Sequence, residues 1–106
     1  YPSLAERGET FGLAVLEAMS CGCPPLVSGL SCFKDFVCDG DNGFVFDHFV
    51  PDVVGALRDK LVKVLSSPES LSALGLKASR VAAGYALRPV AKLFLEDFEA
   101  LLSCEA

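Results

Sequence analysis

The sequence predicts an α/β fold in which short parallel strands are covered by several helices. Three observations carry that expectation. Pro25-Leu26-Val27-Ser28 is a short apolar run behind Gly22 and Pro24, which suits a buried parallel strand. Phe44-Val45-Phe46 is a second such run, opened by the dense turn chemistry of Asp39-Gly40-Asp41-Asn42-Gly43 and closed by Asp47 and His48. The second half of the chain then repeats apolar residues at helical spacing.

Taken in order, Tyr1-Pro2-Ser3 reads as the carboxyl end of a strand, and Leu4 to Gly8 as a polar loop. A helix is expected from about Gly12 to Cys21, stopped by Gly22 with Pro24 just beyond. Strand, helix and strand over this distance make a βαβ unit with a right-handed crossover. After the loop Gly29-Leu30-Ser31, a turn or two of helix is expected around Cys32 to Val37. Val54, Leu57, Leu61, Val64 and Leu65 mark a longer helix, with Lys60 and Lys63 off its apolar stripe. Ser67-Pro68-Glu69 is a helix start, and Leu71, Leu74, Ala78 and Val81 continue that helix to about Gly84. The last helix spans about Leu87 to Ser103, with Val90, Phe94, Phe98, Leu101 and Leu102 on one face and Pro89 in its first turn.

Composition excludes several functions. A net charge of −5 lacks the basic footprint of a nucleic-acid binder. No run of about eighteen apolar residues suggests a membrane span, and no signal peptide is visible. The five cysteines are an odd number, with Cys21 and Cys23 spaced CxC and no histidine at zinc-finger spacing. They read as buried free thiols in a reducing cytoplasm rather than as a metal or redox site. His48 reads as a surface or cap residue, and Asp39, Asp41 and Asn42 as turn residues rather than calcium ligands. The chain starts at Tyr1 rather than Met, and two short strands and a stub are a small sheet for so many helices. A piece of a longer polypeptide, marginal alone or dependent on a partner, is therefore expected.

The candidate site is Gly8-Glu9-Thr10-Phe11-Gly12-Leu13-Ala14-Val15-Leu16-Glu17-Ala18-Met19, a tight loop feeding a short helix. Glu17 is a carboxylate in an otherwise apolar or small segment, so the sequence predicts a buried charge in need of a partner. Side chains lean toward a helix N-terminus, which tips Glu17 back toward Glu9. The same end offers unpaired amides at Gly12 and Leu13 and the positive pole of the helix. Two acceptors and an anion-binding end suit a ligand with both hydroxyls and phosphates.

That stretch, with Cys21-Gly22-Cys23-Pro24 after it, resembles the signature of retaining GT-B glycosyltransferases of the group 1 (family 4) type: a Glu, seven residues and a second Glu, with Phe-Gly-Leu after the first and Glu-Ala-Met at the second. The Pro-apolar strand, short helix, Asp-Gly-Asp-Asn-Gly-Phe-Val-Phe and terminal helices follow in the family's order. The resemblance covers nearly the whole chain. It implies that residues 1–106 are the second half of a Rossmann-like, nucleotide-sugar-binding C-terminal domain, with the acceptor-binding N-terminal domain absent.

It further implies a hexosyltransferase type of enzyme, inactive as this piece alone, that moves a glycosyl group with retention from a nucleotide-diphosphate sugar to an unknown acceptor, without metal or cofactor. Glu9 is then the catalytic candidate, contacting donor-sugar hydroxyls near the reacting carbon. Thr10, Phe11, Gly12 and Leu13 form the donor-binding stretch, whose backbone approaches sugar and diphosphate. Glu17 accepts from the ribose hydroxyls. The implied location is cytoplasmic, with a membrane-peripheral position open to the intact protein. Partners implied are the missing N-terminal part of the polypeptide or a homo-oligomer.

Two departures stand out: the family's diphosphate-neutralising Arg and Lys have no counterpart assigned here, Arg7 and Lys34 included, and Leu4-Ala5-Glu6-Arg7-Gly8 differs from the family's shorter acidic loop. The rivals are a non-catalytic sugar-nucleotide-binding or interaction module from a truncated gene, and a glycogen phosphorylase-like relative, disfavoured because no cofactor-lysine motif is visible.

Overall fold

The computed structural model describes residues 1–4, 7 and 9–104. The elements are α1 (Leu13–Ser20), β1 (Leu26–Ser28), a 3-10 helix (Ser31–Asp35), β2 (Phe44–Phe46), α2 (Val53–Leu65), α3 (Pro68–Ala83) and α4 (Leu87–Cys104). β1 and β2 pair in parallel, Leu26 opposite Phe44, Val27 opposite Val45 and Ser28 opposite Phe46. Tyr1-Pro2-Ser3 is not a strand but runs against β1. Its Tyr1 nitrogen donates to the Leu26 carbonyl at 2.8 Å, and the buried Ser28 hydroxyl donates to the Ser3 carbonyl.

The core forms where one face of each element is apolar. Val15, Leu16 and Met19 of α1 meet Val27 of β1, then Leu30, Phe33, Phe36 and Val37, with Ala78 and Ala82 of α3 closing the far side. Burying each of the larger side chains contributes about 1.5–3 kcal/mol. α3 packs on α1, and α2 packs on β2. The α1–α3 approach is tight because Gly75 has no side chain: a Cβ there would overlap the carbonyl oxygen of Gly22, the residue that turns the chain out of α1.

The turn 39–43 is locked from within. The buried Asn42 side chain accepts from the Cys38 N–H and donates to the Phe36 carbonyl, both at 2.8 Å. The Asp39 carboxylate accepts from the Val45 N–H at 2.8 Å and pairs with Lys60 at 2.9 Å. Burial tends to raise the Asp39 pKa, but these two partners outweigh it and hold the group below its ordinary value.

Three further expectations need correction. Glu17 is not a buried charge: Val15, Leu16 and Met19 of α1 face the core, while Leu13, Glu17 and Ser20 share its exposed face. The cysteines are not core residues, because Met and Phe side chains fill the interior. Cys21, Cys23, Cys38 and Cys104 are exposed at loop or helix-end positions, and Cys32 is half-buried. His48 is buried rather than on the surface, with its ring centroid 4.1 Å from that of Phe49.

Candidate active site

The centre of the site is Gly12. It caps α1 at φ 88°, a left-handed conformation that strains any residue with a Cβ. No side chain caps this helix end. The Gly12 carbonyl accepts from Val15 and Leu16, at 3.1 and 3.2 Å. The N–H groups of Gly12, Leu13 and Ala14 have no partner among the described residues. A helix start with free amides carries a partial positive charge and favours an anion.

On one side of this end, Glu9 and Thr10 line a cavity of about 420 Å³ with Leu30, Ser31, Cys32 and Asp35. Glu9 is half-buried. It accepts a 2.7 Å hydrogen bond from the Tyr1 hydroxyl, which together with the Glu9 charge raises the phenol pKa. Burial raises the Cys32 pKa, and the charges of Glu9 and Asp35 raise it further against the backbone N–H groups of Cys32 and Phe33, which lower it. No cationic side chain lines this cavity among the described residues. It is a pocket of hydroxyls and carboxylates.

On the other side, Phe11, Leu13 and Glu17 line a cavity of about 330 Å³ with Ser20, Ala83 and Tyr85 among its other walls. The six expected site residues are thus brought to one helix end, but Glu9 and Glu17 open onto different cavities. Their segment, Thr10 to Leu13, links the two.

Aromatic packing beneath the segment fixes it. Phe11 contacts Phe36 and Tyr85, each at 5.8 Å between ring centroids, and Phe33 meets Phe36 edge-on at 6.2 Å. Tyr1 meets Phe33 edge-on at 5.9 Å, so the residue that holds Glu9 is itself held by the core. Phe11 thus packs against Phe36 and Tyr85 while it lines the second cavity.

Tyr1, Ser31, Asp35 and Tyr85 escaped sequence reasoning. Ser31, just past β1, had a readable signal, since ligands of open α/β sheets gather beyond the carboxyl ends of strands; Tyr1, in a segment that is not a strand, had none. Asp35 and Tyr85 had none, because each reaches the site only through folding of a distant segment. Arg7 and Lys34 are exposed and line neither cavity; Ala5, Glu6 and Gly8, the rest of the divergent loop, lie outside the described residues. No cluster of three or more metal-ligating side chains occurs among the described residues.

Short parallel strands, a glycine-led helix opening beside them and helices packed against the sheet define a Rossmann-like part of a GT-B glycosyltransferase fold. The backbone matches that of sucrose-phosphate synthase from Thermosynechococcus elongatus with a TM-score of 0.72, at 22% identity, over 92% of this chain and 24% of that one. The chain belongs to the group 1 glycosyltransferases: the family model described as glycosyl transferases group 1 matches residues 1–81. It is 31% identical over 91 residues to a D-inositol 3-phosphate glycosyltransferase of Rhodococcus opacus (strain B4), which covers 85% of this chain and 20% of the relative. It is 38% identical over 77 residues to a phosphatidyl-myo-inositol mannosyltransferase of Mycobacterium leprae (strain TN), covering 69% of this chain and 20% of that protein. The chain therefore spans about a fifth of the length of these curated relatives.

Proposed function

We propose that residues 9–17 form the donor side of a retaining glycosyltransferase site that binds a nucleotide-diphosphate sugar and passes its glycosyl group to an acceptor. The reading rests most on the free amides of Gly12, Leu13 and Ala14, joined by one segment to two cavities of different character. The diphosphate suits the amide-bearing helix end. The uncharged, hydroxyl-rich sugar suits the polar cavity of Glu9, Thr10, Ser31 and Asp35, where carboxylates accept from hydroxyls. The nucleoside suits the other cavity, where Glu17 accepts from the ribose and Phe11, Leu13 and Tyr85 supply apolar surface.

Mechanistically, transfer develops positive charge on the sugar ring and negative charge on the departing diphosphate. Amides fixed at the start of α1 stabilise the latter as it forms, without reorganising. Glu9, held by Tyr1, orients the sugar so that its reacting carbon is presented in one pose. The exposure of Glu17 sharpens its role: an accessible acceptor at a cavity rim meets a ligand more readily than a buried charge would.

A thermal-shift and calorimetric screen of nucleoside diphosphates and their sugars on the intact protein tests the reading. Saturable binding that needs both nucleoside and diphosphate supports it, and indifference to all of them contradicts it.

A further inference from the structure

Another cavity, of about 420 Å³, shares no wall residue with either donor cavity. It opens where α2 gives way to α3. Lys60 and Lys63 line it with Asp39 and the hydroxyls of Ser66, Ser67 and Ser70. Two ammonium groups against one carboxylate make it locally positive in a chain of net charge −5. Glu69, the nearest other acid in sequence, does not line it.

The three hydroxyls are not equivalent. Ser66 Oγ donates to the Lys63 carbonyl at 2.7 Å, and Ser70 Oγ donates to the Ser67 carbonyl at 2.8 Å. Ser67 is the N-cap of α3, where a serine normally accepts from a first-turn amide, yet its hydroxyl makes no such bond. That hydroxyl is uncommitted, and the residue is exposed. Of the six prolines in the chain, only Pro68 follows a hydroxyl-bearing residue.

The lysines differ as well. Lys60 pairs with Asp39 at 2.9 Å, while Lys63 is exposed and forms no ion pair among the described residues. One net positive charge in contact with solvent holds a free phosphate weakly. A phosphate tethered to Ser67 is present at an effective concentration on the order of millimolar, so the same contacts suffice to hold it. It would carry a charge of about −1.5 to −2 at pH 7, beside the positive pole of α3.

We propose that Ser67 is a phosphorylation site for a proline-directed serine kinase, and that Lys63 and Lys60 receive its phosphate in this cavity. In the transfer, Ser67 Oγ bonds to the γ-phosphorus of ATP and the bond to the ADP oxygen breaks. The hydroxyl proton leaves to a base of the kinase. The modification is independent of what the donor cavities bind.

The test treats the intact protein with a proline-directed serine kinase and ATP, beside a Ser-Pro control peptide, and maps the modified residue by mass spectrometry. Phosphate is expected on Ser67 and not on Ser66 or Ser70. Phosphorus NMR across a pH titration then reads its surroundings. The second pKa of the phosphoserine should lie about half a unit below its ordinary value of about 6, as a solvent-exposed cation pair produces. Lys63→Gln should return it to that value with an unchanged circular dichroism spectrum, since Lys63 is exposed. Inorganic phosphate titrated onto the unmodified protein should bind only weakly. A control peptide modified while Ser67 is not, phosphate on Ser66 or Ser70 instead, or a pKa indifferent to Lys63→Gln would each overturn the proposal. So would tight binding of inorganic phosphate, which would make the cavity a site for a free ligand.

Discussion

Gly12 lies so close to Phe33 that a Cβ on it would sit 2.6 Å from the ring carbon Cε1 and 3.1 Å from Cδ1. Two demands thus fall on one residue: a left-handed backbone at φ 88° and a face bare enough to rest on an aromatic ring. Gly12→Ala should cost about 1–3 kcal/mol from the backbone alone, with the clash added. In thermal denaturation the midpoint should fall by roughly 4–8 °C for each kcal/mol lost. An unchanged midpoint would mean that the α1 entry is not held in this form.

The turn before β2 offers a second test. Asn42→Ala removes both the acceptor for Cys38 N–H and the donor to Phe36 O from a buried position. Leaving buried polar groups unpaired costs about 1–3 kcal/mol each in desolvation. Urea denaturation should show a lower midpoint with an unchanged slope.

Asp39 predicts a pH dependence. Its folded pKa lies below the ordinary carboxylate value of 3.8, owing to the Val45 N–H and Lys60 against the opposing effect of burial. A depressed carboxyl pKa contributes stability that is complete above the unfolded value and lost as pH falls through the folded one. The wild-type advantage over Asp39→Asn should therefore be steady from neutrality to about pH 5 and fade below about pH 4. With the side chains of Lys60 and Asp39 exposed by 23% and 49%, solvent screening keeps the advantage small. A difference that grows as the solution is acidified would refute the assignment.

Cys32 reports on the charge of Glu9. Its thiol pKa is pushed up first by burial and then by the charge of Glu9, whereas the other four cysteines are exposed. Mass-spectrometric mapping after brief alkylation at neutral pH should find Cys32 modified last. Glu9→Gln should speed its labelling while leaving Cys104 unaffected. Equal Cys32 rates in the two proteins would mean that Glu9 does not act across this cavity.

Much of this architecture was legible in the chain because local chemistry dictated it. Phe44-Val45-Phe46 is a strand with the expected bounds, since turn residues fence it on one side and Asp47 on the other. Gly22 ends α1 as expected, and Pro68 starts α3. Glu17 misled because apolar neighbours in sequence were taken for apolar neighbours in space. On an eight-residue helix packed by one face, Leu13 and Glu17 are both exposed. The separation of Glu9 and Glu17 into two cavities was also hidden, because Asp35 and Tyr85, which wall them, arrive from other parts of the chain. The cysteines misled by type: their apolar character predicts burial, but loop and helix-end positions put four of them outside.

The most direct test is the affinity of the intact protein for a nucleoside diphosphate, measured by calorimetry with and without Glu17→Ala. A carboxylate accepting from ribose hydroxyls contributes about 1.5–3 kcal/mol, so the variant should bind about tenfold or more weakly, with its thermal stability unchanged because Glu17 is exposed. Equal affinity in the two proteins would contradict the donor-site reading of this helix end.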